Sequence, residues 1–186
     1  MKLAGAAAIT IIATAALAGC SSNDNTSAHA DTGTGTPAKA PATAAPIPVT
    51  IGQPFLISSS KGTTGLVTVD KIELNPTCTT KFGPVTPPKG TNVAVELDVQ
   101  TNAIPPSTYI TENWFQELTP DGYTKRLPMA DNLCIADRED MGTPYQPNSK
   151  YHGWVLLDVS NTASSLLMSD IYDGRPVPEV HRIPIS

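Results

Sequence analysis

From Val49 onward the chain is written in short apolar stretches with a two-residue period, interrupted by Pro, Gly, Asn and Asp. That period places successive side chains on opposite faces of an extended strand. The clearest case is 92–101, where Val93, Val95, Leu97 and Val99 point one way and Ala94, Glu96, Asp98 and Gln100 the other. It predicts a strand with one core face and one wet face. Residues 65–74 follow the same rule through Val67 and Val69, then change phase at Asp70-Lys71 before Ile72 and Leu74. A phase change of that kind predicts a β-bulge. Residues 153–159 carry Val155, Leu157 and Val159 on one side and Trp154 and Leu156 on the other, so they predict a central strand or one beneath a buried patch. Residues 114–118 and 123–127 are joined by Thr119-Pro120-Asp121-Gly122, a turn sequence in which Gly supplies positive φ, and they predict a hairpin. Further strands are expected over 49–58, 165–172 and 179–185, with Leu166, Leu167, Met168 and Ile171 open to a single helical turn instead. About seven or eight short strands separated by turns describe an all-β antiparallel β-sandwich.

Before Val49 no such period appears. Lys2 is the only charge in the stretch from Met1 to Cys20, and Leu3 to Ala18 is an Ala-rich apolar run. It is shorter than the roughly 20 strongly apolar residues that a membrane span needs, and it reads as a signal peptide. Leu17-Ala18-Gly19-Cys20, followed by polar Ser21-Ser22-Asn23, resembles the lipobox of bacterial lipoproteins. The resemblance implies cleavage after Gly19, diacylglycerol on the Cys20 thiol and a further acyl chain such as palmitate on the new amino group. One acyl chain holds a protein only marginally, whereas two or three make a durable anchor. Residues 20–48 are then the lipidated cysteine and a linker of Ser, Thr, Ala, Gly and Pro. There is no aromatic residue before Phe55, so this segment lacks the apolar surface needed to offset its ordering entropy. A flexible coil of that length spans ~30 Å. Gly33-Thr34-Gly35-Thr36 lacks the Gly-Lys-Ser/Thr ending and the preceding strand of a phosphate loop. His29 reads as a solvated linker residue, and the Thr and Pro content suits O-glycosylation. The folded part is expected at 49–186.

Composition narrows the function classes. The net charge is −5 and charged residues make only 16% of the chain, with no basic run longer than Lys125-Arg126, which excludes a nucleic-acid footprint. With 18 prolines and 13 glycines among 186 residues, long helices and coiled coils are disfavoured. Of the three cysteines, Cys20 is assigned to lipid, leaving Cys78 and Cys134 as the even pair that a disulfide requires in an oxidising exterior compartment. Neither sits in a C-x-x-C with a neighbouring histidine, so metal ligation by them is disfavoured.

The inventory of catalytic chemistry is thin. His152 and His181 are the only histidines from Val49 onward, and a lone strand histidine is more often packed or exposed than a ligand. There is no Gly-x-Ser-x-Gly elbow and no H-E-x-x-H. Asp131 and Asp137-Arg138-Glu139-Asp140 form the densest acidic run, but they lack the spacing of a calcium loop and read as a solvated loop. Glu117 and Asp121 flank the predicted hairpin turn and need no catalytic explanation. No catalytic residue, metal site or cofactor is assigned.

The order Gly65-x-Val67-x-Val69, Lys89-Gly90-x₂-Val93-x-Val95-x-Leu97-x-Val99, Asp121-Gly122 and Gly153-Trp154-Val155 carries a further resemblance. It is similar to the small immunoglobulin-like domains of actinobacterial and other Gram-positive lipoproteins of unknown function, and more loosely to the mycobacterial secreted immunoprotective antigen family. The resemblance implies an immunoglobulin-like sandwich and no catalytic residues to carry over. The expectation is therefore a monomeric, non-enzymatic module held at the extracytoplasmic face of the cell membrane by Cys20, contacting an envelope protein or polymer. Trp114, Phe115 and Trp154 are candidate contact residues if exposed, with core packing as the other reading. An envelope hydrolase or small-ligand carrier with a site formed by sandwich loops is the alternative, and a deep pocket with converging His, Asp and Ser would favour it.

Overall fold

A computed structural model describes residues 44–59, 61–106, 108–142, 144–170 and 179–186. The signal peptide, Cys20, the linker up to residue 43, and Ile171 and Tyr172 lie outside the described residues. The described strands are β1 (Ile47–Pro48), β2 (Phe55–Ser59), β3 (Gly62–Leu74), β4 (Thr91–Thr101), β5 (Phe115–Leu118), β6 (Thr124–Arg126), β7 (Lys150–Val159), β8 (Ser165–Met168) and β9 (His181–Pro184). Two short 3₁₀ turns, η1 (Glu112–Trp114) and η2 (Asn132–Ile135), interrupt the loops. Among the described residues no helix is long and apolar enough to cross a membrane.

The strands form two sheets. One runs β2-β3-β4-β7 with every neighbour antiparallel, and the other runs β1-β9-β8-β5-β6, antiparallel except where β1 pairs in parallel with β9. Val67, Val69, Val93, Val95, Leu97, Val99, Val155, Leu157 and Val159 from the first sheet share one buried cluster with Phe115, Leu166, Met168 and Ile183 from the second. The protein is thus an immunoglobulin-like β-sandwich whose core is the interleaved inner faces of two sheets.

Each main strand follows from its pattern, with differences that have physical causes. The phase change at Asp70-Lys71 is a bulge, because the β3–β4 register shifts between Val69 and Lys71. The hairpin turn forms with Gly122 at φ 89°, the left-handed conformation that favours glycine. Thr119 closes it by donating its backbone N–H and its hydroxyl to the Tyr123 carbonyl at 2.8 and 2.9 Å. Trp114 ends the η1 turn instead of opening the strand: the Thr111 hydroxyl caps that turn by accepting from the Asn113 N–H, and pairing begins at Phe115. Of the stretch expected over 49–58 only the part from Phe55 is strand, in β2, because the chain turns around Gly52, with φ 78°, after the short β1 at Ile47–Pro48. The segment from Ser165 pairs as a strand on both sides, with β5 and β9, so Leu166, Leu167 and Met168 form no helical turn.

The strand over 150–159 is an edge strand in its sheet, and its second apolar face is explained by cover. Cys78 and Cys134 are joined in a disulfide that draws two long loops together over the outer face of β4 and β7. Ala94, Leu156, Cys134 and Ile135 are buried there in a second small core, with Cys78, Val85, Ala130 and Trp154 packed against it. Ala94, expected on the wet face, is therefore fully buried. The free edge of β7 is partly closed as well, since Asp140 forms a parallel bridge to Trp154, whose N–H donates to the Glu139 carbonyl at 2.9 Å. This approach needs Gly153. A Cβ there would lie 2.9 Å from the Asp140 carbonyl carbon and from the Met141 nitrogen.

Candidate functional site on the outer sheet face

The uncovered part of the outer face of β3, β4 and β7 gathers a cluster of ionisable side chains around His152. Asp98 on β4 lies opposite His152 on β7 in the antiparallel register, and Glu96 lies opposite Trp154, one step along the same face. The His152 Nδ1 is 2.8 Å from Asp98 Oδ1 and its Nε2 is 3.3 Å from Glu96 Oε1. The bulge adds the third acid. Val69 points into the core, and the extra residue allows Asp70 and Lys71 both to reach the outer side before Ile72 packs back against the core. Asp70 comes close enough to Asp98 and His152 for one donor atom of each to lie within 4.8 Å of the others.

The electrostatics follow from that crowding. The hydrogen bond with Asp98 foremost raises the pKa of His152 above its ordinary value; burial opposes it, and the nearby charges of Asp98, Glu96 and Glu139 add to the rise. Partial burial, and then repulsion from Asp98 and Glu96, raise that of Asp70. Two cations of this face are engaged with Glu73. Arg138 donates to Glu73 at 3.0 Å and Lys71 lies 3.6 Å from the same carboxylate, which the Arg138 hydrogen bond holds below its usual range. Arg138 also lies 4.3 Å from the centre of the Trp154 ring, with Lys71 at 5.8 Å, so two cations make cation–π contacts with one indole.

The 131–142 segment divides this face into two grooves. One, of about 370 Å³, runs between the η2 turn and the Arg138–Trp154 stack. The other, of about 380 Å³, lies on the far side of Glu139 and Asp140 and is lined by Asp98, Lys150, Tyr151 and His152. The segment is built, not merely solvated. Asp131 caps η2 by accepting from the Leu133 N–H at 3.1 Å and fastens the opposite loop by accepting from the Thr86 N–H at 2.7 Å. Those two backbone donors hold its carboxyl below the ordinary range.

The candidate aromatics separate. Trp114 and Phe115 are each 1% exposed and belong to the main core, so neither is a contact residue. Trp154 is half-buried and borders the first groove. His181 is buried, with its ring 4.5 Å from that of Phe55, and desolvation lowers its pKa. Glu117 has no part in a carboxylate pair with Asp121: it points inward and accepts hydrogen bonds from the turn at 160–164. Asp70, Glu96 and Asp98 were not singled out as site residues. The phase change at Asp70 and the acids alternating on the wet face of β4 were visible, but the register that sets His152 beside them was not.

No protein-family model matches the chain, and no curated relative matches its sequence. The loose mycobacterial resemblance is found among solved structures. The chain is similar to MPT63, a secreted protein from Mycobacterium tuberculosis, with 16% identity, 75% of this chain and 99% of that chain covered, and a TM-score of 0.46.

Proposed function

We propose that the protein is an extracytoplasmic binding or structural module, anchored to the outer face of the cell membrane through acylated Cys20, which presents the outer face of β3, β4 and β7 to an envelope protein or polymer. The observation that carries this reading is the groove beside the Arg138–Trp154 stack, where a half-buried aromatic and a guanidinium border an open surface about 370 Å³ in volume. Arg and Trp are the residue types that concentrate binding energy when a partner desolvates them. The first groove is lined by no histidine or serine and the second, which holds His152 and Asp98, by no serine, so neither brings together the histidine, aspartate and serine that the alternative of a hydrolase calls for. Export is supported by the signal-like segment from Met1 to Gly19 and by the Cys78–Cys134 bridge, a linkage suited to an oxidising compartment. A tether to the membrane raises a module's concentration near an envelope target without any new contact.

The test is site-specific photocrosslinking in intact cells. A photoreactive residue at Trp154 is expected to give one discrete adduct, while the same residue at exposed Tyr123, on the hairpin turn, gives none. Cys20→Ala is expected to remove the acyl mass and release the protein from membranes, with loss of the adduct. Equal labelling from both positions, or membrane retention unchanged by Cys20→Ala, overturns the reading.

A further inference from the structure

We infer that Asp70, Asp98 and His152 form a binding site for a divalent transition-metal cation of the zinc class, with Glu96 as the outer carboxylate that orients the imidazole. The inference concerns a different set of groups from the Arg138–Trp154 groove, and it holds whether or not that face meets an envelope partner.

Four features support it. First, the donors are mixed: one imidazole nitrogen and two carboxylate oxygens, one from each residue, all within 4.8 Å of one another. Ligand bonds of about 2.0–2.2 Å hold donors roughly 3.3–3.6 Å apart around a shared tetrahedral ion, so these donors reach one ion by closing in through side-chain adjustment. Imidazole together with carboxylate selects a borderline cation over magnesium or calcium, which favour all-oxygen sets. Second, the donors stand on three adjacent strands, so the backbone holds their spacing through the β3–β4 and β4–β7 ladders. A site on strands is held more closely than one on loops.

Third, the second ring nitrogen of His152 is engaged. With Nδ1 facing Asp98, Nε2 lies 3.3 Å from Glu96. A metal-bound histidine commonly donates its other N–H to a carboxylate, which fixes the tautomer and strengthens the ligand. Glu96 stands where that partner is required. Fourth, charge is unbalanced at this spot. Three carboxylates surround one imidazole, while Lys71 and Arg138 are turned to Glu73. Lys150 lines the same groove as Asp98 and His152, and the acids Glu139 and Asp140 there outweigh it. A bound dication neutralises the acids that the bulge brings together when it sets Asp70 beside Asp98. Three protein donors leave at least one coordination position for water.

The test is titration of the full, membrane-extracted chain with zinc chloride, read by calorimetry and by the ring ¹⁵N shifts of His152. One zinc per chain is expected, with a shift at Nδ1. His152→Ala and Asp70→Asn are each expected to weaken binding at least ten-fold. Glu96→Gln is expected to weaken it several-fold while one ion per chain is retained. These residues lie on an outer sheet face, and circular dichroism is the check that each variant remains folded. The ¹⁵N shift in the unaltered chain reads the ligand directly should a variant fail to fold. Stoichiometric binding that survives His152→Ala, or unchanged His152 ring shifts up to millimolar zinc, overturns the site. Unchanged affinity in Glu96→Gln overturns the role given to Glu96.

Discussion

Glu117 shows how much one side chain can depend on its surroundings. It shares the inward phase of Phe115 on β5 and is 2% exposed, yet it is an acid. Its two oxygens accept from the Ser160 N–H and hydroxyl, the Asn161 N–H and the Ser164 hydroxyl, at 2.7–3.1 Å. Burial pushes its pKa up, and these four donors more than offset that, leaving it below the ordinary value. The carboxylate thereby ties the β7–β8 turn to the hairpin. Glu117→Ala is expected to cost about 2–3 kcal/mol in urea unfolding at pH 7, because buried donors lose their acceptor. A group whose folded pKa is depressed stabilises above its unfolded pKa, and that stability is lost as pH falls through the folded value. The difference between the parent and Glu117→Ala should therefore shrink at pH 3. The alternation did place Glu117 in phase with Phe115, but a sequence does not say that four donors will converge on it from a turn two strands further along the chain.

At the scale of elements, the inner faces were legible and the cover on the outer face was not. Val93, Val95, Leu97 and Val99 point inward as their spacing requires, and the bulge falls at the break in phase. The second core arises because the Cys78–Cys134 bridge holds the η2 loop over Ala94 and Leu156. The Thr79 N–H donates to the Cys134 carbonyl at 2.9 Å, and Asp131 fastens Thr86, so hydrogen bonds reinforce the bridge on both sides. Linking residues 78 and 134 closes a loop that contributes ~4 kcal/mol in the chain-entropy model. The double variant Cys78→Ser/Cys134→Ser is expected to lose up to about that much and to exchange backbone amides faster at 130–140 than in the main core. Equal protection of both regions in parent and variant would show that the loops hold their place without the bridge.

At the scale of the molecule, the ordered body is expected to begin just before β1. Ile47 donates its N–H to the Val180 carbonyl and Val49 to that of Arg182, both at 2.8 Å, so the chain is tied to the second sheet from Ile47. Limited proteolysis is expected to remove residues up to the mid-forties and to leave a β-rich fragment in which the bridge is intact. Early cleavage within 92–101 would refute a core built around β4. That strand pairs with β7 without a break, from Thr91 opposite Val159 to Gln100 opposite Lys150, and such long-range pairing resists local opening.

The chain's own pattern determined the fold class, the inward faces of β3, β4 and β7, the bulge and the hairpin turn, because each is set by side-chain period or by backbone conformation within a short stretch. The pairing of Cys78 with Cys134 was legible from the count of cysteines once the lipobox resemblance set Cys20 aside. Tertiary structure alone decided that the strand at 150–159 is an edge under cover and that Trp114 and Phe115 are core. It alone brought Asp70, Glu96, Asp98 and His152 to one spot. Those outcomes depend on register between strands that lie far apart in the chain, as β4 and β7 do. Register is set by the summed packing of both sheets and the loops, a quantity that no local stretch of sequence contains.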